Sequence, residues 1–122
     1  MIILGDPKLP ARFTTVVRCD HIDAVKKTLP GTLAVIPFDQ ESLGRYPDVR
    51  EIIAVEVKDI REFLYVNACG VGYAVASLDV ATLLQPLADH YLTDTKLLVP
   101  LDKTTTLEAV AKAGIDGILL MP

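Results

Sequence analysis

Apolar runs recur along this chain at short intervals, and each closes on the same phrase. Val17-Arg18-Cys19-Asp20, Ile36-Pro37-Phe38-Asp39, Ala76-Ser77-Leu78-Asp79 and Val99-Pro100-Leu101-Asp102 each end an apolar run, pass a variable and an apolar residue, and stop at Asp. Val57-Lys58-Asp59 is a shortened copy. Asp is a favoured N-cap, because its carboxylate accepts from an unpaired amide of the first helical turn and meets the positive end of the helix dipole. Each phrase therefore reads as a strand ending and a helix beginning.

A second repeat marks the opposite junction. Val66-Asn67-Ala68-Cys69-Gly70-Val71-Gly72-Tyr73-Ala74-Val75 aligns with Val110-Ala111-Lys112-Ala113-Gly114-Ile115-Asp116-Gly117-Ile118-Leu119, and the segment from Leu29 to Val35 is a looser copy. Gly just past a helix end supplies the left-handed residue that closes it. Between these marks the pattern predicts strands over 13–18, 33–37, 51–57, 73–77, 96–101 and 117–121, with a short strand at Ile2 to Leu4. It predicts helices over 20–29, 40–46, 59–69, 79–91 and 105–113. Pro86 is expected to kink or restart the fourth helix.

Several strands, such as Leu33-Ala34-Val35-Ile36, are apolar without alternation. That is the pattern of parallel strands buried on both faces. Strands alternating with helices imply right-handed crossovers and a parallel sheet. The expected fold is a single α/β domain over 1–122: an open parallel sheet of five or six strands in a flavodoxin-like or Rossmann-like three-layer arrangement. The alternative is a partial (β/α) barrel; Ala113-Gly114-Ile115-Asp116-Gly117-Ile118 is similar to phrases in barrel enzymes. A full eight-unit barrel needs about 200 residues or more, so a closed one is not expected.

Composition narrows the partners. The hydrophobic fraction is 51% with no Trp, and mean hydropathy is +0.38. Such apolar content favours self-association as a homo-oligomer. The net charge of −4, without a long basic run, argues against nucleic acid and against an anionic membrane surface. No apolar stretch has the length of a membrane span, and Met1 to Pro7 lacks the form of a signal peptide. Cys19 and Cys69 have no metal-ligand spacing, and a cytoplasmic protein with reduced thiols is expected.

Ligands of parallel α/β sheets bind beyond the carboxyl ends of the strands, so the strand-to-helix phrases hold the candidate site. Asp102-Lys103-Thr104-Thr105-Thr106 offers hydroxyls, an ammonium and free amides to a phosphate or carboxylate. Thr105 and Glu108 also have the spacing of a capping box, a purely structural use. His21 is placed to bind a ligand or move a proton. Cys19 occupies the slot filled by Phe38, Leu78 and Leu101, and so reads as a small buried hydrophobe rather than a nucleophile. Asp20, Asp39, Asp79 and Asp102 share one rim, where carboxylates can hold Mg²⁺ beside a phosphorylated ligand, although separate capping explains each one. Ser77 faces the same rim.

Two functions follow as expectations. The first is a non-catalytic module that binds protein or self-associates, with no cofactor. The second is a binder or enzyme for a phosphorylated or carboxylated metabolite, with Asp20, His21, Asp39, Ser77, Asp79, Asp102, Lys103, Thr104 and Thr105 lining its site. Whether the chain is an enzyme is left open by the sequence.

Overall fold

A computed structural model describes residues 1–44, 47–91 and 93–121. Seven strands form one sheet: β1 (Ile2–Leu4), β2 (Thr15–Arg18), β3 (Thr32–Pro37), β4 (Ile53–Glu56), β5 (Tyr73–Val75), β6 (Lys96–Pro100) and β7 (Gly117–Leu119). Helices α1 (Gln40–Leu43), α2 (Ile60–Ala68), α3 (Leu78–Tyr91) and α4 (Leu107–Lys112) alternate with them. The end of the helix predicted over 40–46, at Arg45 and Tyr46, lies outside the described residues.

Every neighbouring pair of strands is parallel, in the order β1-β7-β6-β5-β4-β3-β2. From β2 to β7 this is chain order. A flavodoxin-like sheet reverses direction at a switch point and puts helices on both faces. Here no reversal occurs between β2 and β7, so successive right-handed crossovers put the helices on one side. The parallel α/β sheet is as expected, and its order follows the barrel alternative.

The two faces of the sheet confirm this by their contents. Leu4, Val16, Leu33, Val35, Ala54, Val75, Leu98 and Leu119 pack with one another and with Phe13. The intervening residues, including Ala34, Ile36, Ile53, Val55, Ala74, Leu97, Val99 and Ile118, pack with Val25, Leu43, Phe63, Val66, Leu84 and Val110. Strand side chains alternate between faces, so the first set is the barrel interior and the second the layer under the helices.

The sheet is nearly closed into a barrel. The paired residues bring Ile2 level with Gly117, Leu98, Val75, Glu56 and Pro37, past the last residue of β2. Yet where the edges meet, the Gly5 amide donates to the Phe13 carbonyl at 3.3 Å, before β2 begins. This stagger is the shear that strand tilt requires for closure. Gly5 has φ +95, and a Cβ there would lie 2.2 Å from the Leu120 carbonyl oxygen. Only glycine fits that approach.

Local chemistry explains the elements. Gly70 and Gly114 take φ 76 and 72. Behind them Val71 donates to Val66 at 3.3 Å and Ile115 to Val110 at 3.4 Å, both closing the helix by a Schellman turn. The helix expected over 20–29 is instead a 3₁₀ segment, Ile22–Lys27. Its buried residues, Ile22 and Val25, are three apart, matching a period of three better than 3.6. Helix α3 runs through Pro86. Both Pro86 and Thr82, whose carbonyl loses its helical donor there, are exposed, so water can serve the carbonyl. No helix among the described residues is long and apolar enough to cross a membrane.

Candidate functional site

The strand alternation continues to the carboxyl rim, and there the interior turns polar. Arg18 is in step with the inward Val16, and Glu56 with the inward Ala54. Arg18 stands level with Val35 and Ala54, two residues below Glu56 on the ladder. Its long side chain reaches up across β3, where Pro37 offers no polar side chain. Arg18 Nη1 donates to Glu56 Oε2 at 2.7 Å. This ion pair therefore bridges β2 and β4 over β3 at the carboxyl rim.

The hydrogen bond to Glu56 and that residue's charge hold the guanidinium further toward its charged form than usual, with Asp20 adding to the effect. The side chains are 50% and 37% exposed. Pairs so open to water contribute about 0–1 kcal/mol to stability. The pair therefore does little for the fold, and another anion can replace Glu56 at small cost.

Arg18 lines neither of two clefts at this rim, and Glu56 lines the first. One, of about 270 Å³, is lined by Glu56, Val57, Val75, Ser77, Val99, Pro100, Asp102 and Thr105, among others. It offers carboxylates and hydroxyls, with no basic side chain in its lining. The other, of about 130 Å³, brings together Asp20, His21, Asp23, Asp39 and Ser42. The structure thus gathers Asp20, His21 and Asp39 in one place and Ser77, Asp102 and Thr105 in another. Asp79, Lys103 and Thr104 line neither cleft. Among the described residues, no three His, Cys, Asp or Glu side chains are grouped to hold a metal ion.

The aspartates of the repeat share the rim but differ in role. Asp39 accepts from the Glu41 amide at 3.1 Å and Asp59 from the Glu62 amide at 2.8 Å, and both are helix caps. Asp20 is not a cap: His21 precedes the 3₁₀ segment and makes no side-chain capping bond. Asp79 lies inside α3, whose start is capped by Ser77 Oγ accepting from Val80 at 3.4 Å. Asp102 organises a turn. Its Oδ1 accepts from the Thr104 amide at 2.8 Å, the Thr104 hydroxyl at 2.9 Å and the Thr105 amide at 2.7 Å. The Thr104 hydroxyl and the two amides hold the Asp102 carboxyl below its ordinary range.

That turn changes the reading of 102–106. The amides pictured as free for an anion are taken by Asp102. The capping box expected from Thr105 and Glu108 is replaced by a simple cap one residue on: Thr106 is the N-cap of α4, accepting from the Ala109 amide at 3.2 Å. The threonines in succession made the register ambiguous, and Asp102 resolves it by drawing Thr105 into its own turn.

The apolar slot of the repeat is as read. Cys19, Phe38, Leu78 and Leu101 are all partly buried against the layer under the helices. Burial, and then the charge of Asp20, push the Cys19 thiol up, which keeps it protonated and poorly nucleophilic.

Arg18 and Glu56 went unnoticed in the sequence, though a signal was present. Each is a charged residue closing a run that is otherwise apolar, Thr15-Val16-Val17-Arg18 and Ile53-Ala54-Val55-Glu56, at the inward phase. An inward charge at a strand's carboxyl end marks the mouth of a parallel barrel. No protein-family model matches the chain, and no curated protein matches it significantly.

Proposed function

We propose that this chain binds a small anionic metabolite, carboxylated or phosphorylated, at the carboxyl-end mouth of its barrel. The observation that carries the reading is the Arg18–Glu56 pair, an inward, solvent-reached guanidinium held by an easily replaced partner. Arg presents a planar fork of donors that matches carboxylate and phosphate oxygens. The adjoining cleft of Glu56, Ser77, Asp102 and Thr105 supplies acceptors and hydroxyls for the rest of the ligand. In this reading the anion is held by Arg18 rather than by Lys103 and Thr104.

The test is a thermal-shift screen of the full chain with small carboxylates and phosphates. A ligand at a hundred times its Kd stabilises by about 2.7 kcal/mol. Wild type should shift with at least one such anion, and Arg18→Ala should abolish that shift. Equal shifts in both proteins, or none in wild type, would remove the reading.

A second reading, self-association, draws on Ile60 and Leu64, which are 51% and 41% exposed one turn apart on α2. Light scattering of wild type and Leu64→Glu tests it: an oligomer dissociated by the substitution supports it, and a wild-type monomer contradicts it.

A further inference from the structure

Resting on the anion site just described, we propose that Glu56 is a built-in competitor for Arg18 that selects ligands carrying a hydrogen-bond donor beside their anion. The geometry leads there in steps. Arg18 Nη1 is already engaged by Glu56 Oε2 at 2.7 Å, so an anion that takes the Nη1 side of the guanidinium must displace that carboxylate. Glu56 belongs to β4 and is fixed by backbone pairing on both sides, to β3 and β5. Its backbone therefore stays at the mouth when the pair opens, with the freed carboxylate within reach of a ligand there.

The neighbouring cleft wall adds the Asp102 carboxylate and the Ser77 and Thr105 hydroxyls. Asp102 Oδ1 is engaged with its own turn. Glu56, the partner of Arg18 itself, is the acceptor beside the anion for a hydroxyl or ammonium on the ligand. A ligand with only an anion gains little by the exchange, because it breaks one ion pair and replaces it with another. A hydroxylated or aminated anion gains the released carboxylate as a partner as well. The same residue thus weakens simple anions and rewards bifunctional ones, by unequal contacts rather than by shape.

The proposal is tested by calorimetric titration of the full chain, at low ionic strength and pH 8, with methyl phosphate, a dianion without a donor, and with glycerol 3-phosphate. The proteins compared are wild type, Glu56→Gln, Arg18→Ala, and Glu51→Gln as a control. Glu51 pairs with Arg12 at 3.7 Å with its side chain 74% exposed, so Glu51→Gln removes a like charge without touching Glu56. Wild type should prefer glycerol 3-phosphate. Glu56→Gln should tighten methyl phosphate about fivefold, the factor belonging to one weak ion pair, and should narrow the preference. Glu51→Gln should change neither.

A Glu56→Gln protein that binds methyl phosphate no tighter than Glu51→Gln does, while Arg18→Ala binds neither ligand, overturns the competitor and leaves the anion site standing. Binding that survives Arg18→Ala, or is absent from both wild type and Glu56→Gln, overturns the site and the competitor together.

Discussion

Gln85 and Asp116 hold each other in both directions across the amino end of the barrel. Gln85 Nε2 donates to Asp116 Oδ1 at 3.1 Å, and the Asp116 amide donates to Gln85 Oε1 at 3.0 Å. The other oxygen of Asp116 accepts from the Leu97 amide at 2.9 Å, tying α3, β6 and the approach to β7 into one network. Gln85 is 3% exposed, so its amide depends on these partners.

Asp116→Ala removes acceptors from the Leu97 amide and from Gln85, although Gln85 keeps its bond to Asp89 at 2.9 Å. A buried donor left without a partner costs about 1–3 kcal/mol. Urea unfolding should show a loss of that size for Asp116→Ala and for Gln85→Ala. The double variant should lose less than the sum, because both single changes break the same bonds. Strict additivity would mean that the network is not a unit.

Gly5 tests the closure. An alanine there would place its Cβ 2.2 Å from the Leu120 carbonyl oxygen and 3.1 Å from a Val16 methyl carbon, at a backbone angle of +95. Gly5→Ala should therefore cost more than about 2 kcal/mol in thermal or urea unfolding, from strain and contact together. Gly44→Ala is the control, since a Cβ there meets nothing within 4 Å. Equal stability of the two variants would open the junction between β1 and β2.

Asp102 gives a pH signature. Its folded carboxyl is held low by the Thr104 hydroxyl and the Thr104 and Thr105 amides. A depressed carboxylate contributes stability that is present above its unfolded value, about 3.9, and lost as pH falls through its folded value. Asp102→Ala should be less stable than wild type near neutral pH. The gap should close as pH drops below about 4. A gap constant from neutral to strongly acidic pH would show that the carboxylate does not hold this turn.

Much of the fold was legible because the chain repeats itself. The aspartate phrases located every strand-to-helix junction from β2 to α4, and Gly70 and Gly114 located the opposite turns, which close as expected. The near closure was not legible. It depends on the connection from Leu4 to Thr15, whose described residues include no helix, and on Phe13 entering the interior, where its ring meets Tyr73 edge-on at 6.1 Å. No local pattern announces such a return path.

The carboxyl rim was legible as a place, but the roles of its side chains were not. Reading Asp20, Asp39, Asp79 and Asp102 as equivalent caps hid their differences, since capping depends on a one-residue shift in where a helix begins. Thr104 and Thr105 lie on that rim but are tied to Asp102. Arg18 and Glu56 lay in the variable positions of otherwise apolar strand ends, where only the inward phase of a barrel gives a charge its meaning.

The central claim is that the guanidinium of Arg18, paired with Glu56 at the barrel mouth, is where an anion binds. A ¹⁵N-correlated NMR titration of the full chain with glycerol 3-phosphate, including the arginine side-chain signals, tests it most directly. The account predicts saturable shifts at the Arg18 side chain and at the amides of Glu56, Ser77 and Asp102. Saturable shifts confined to the opposite rim, around Gln85, Lys96 and Asp116, with Arg18 unmoved, would contradict it.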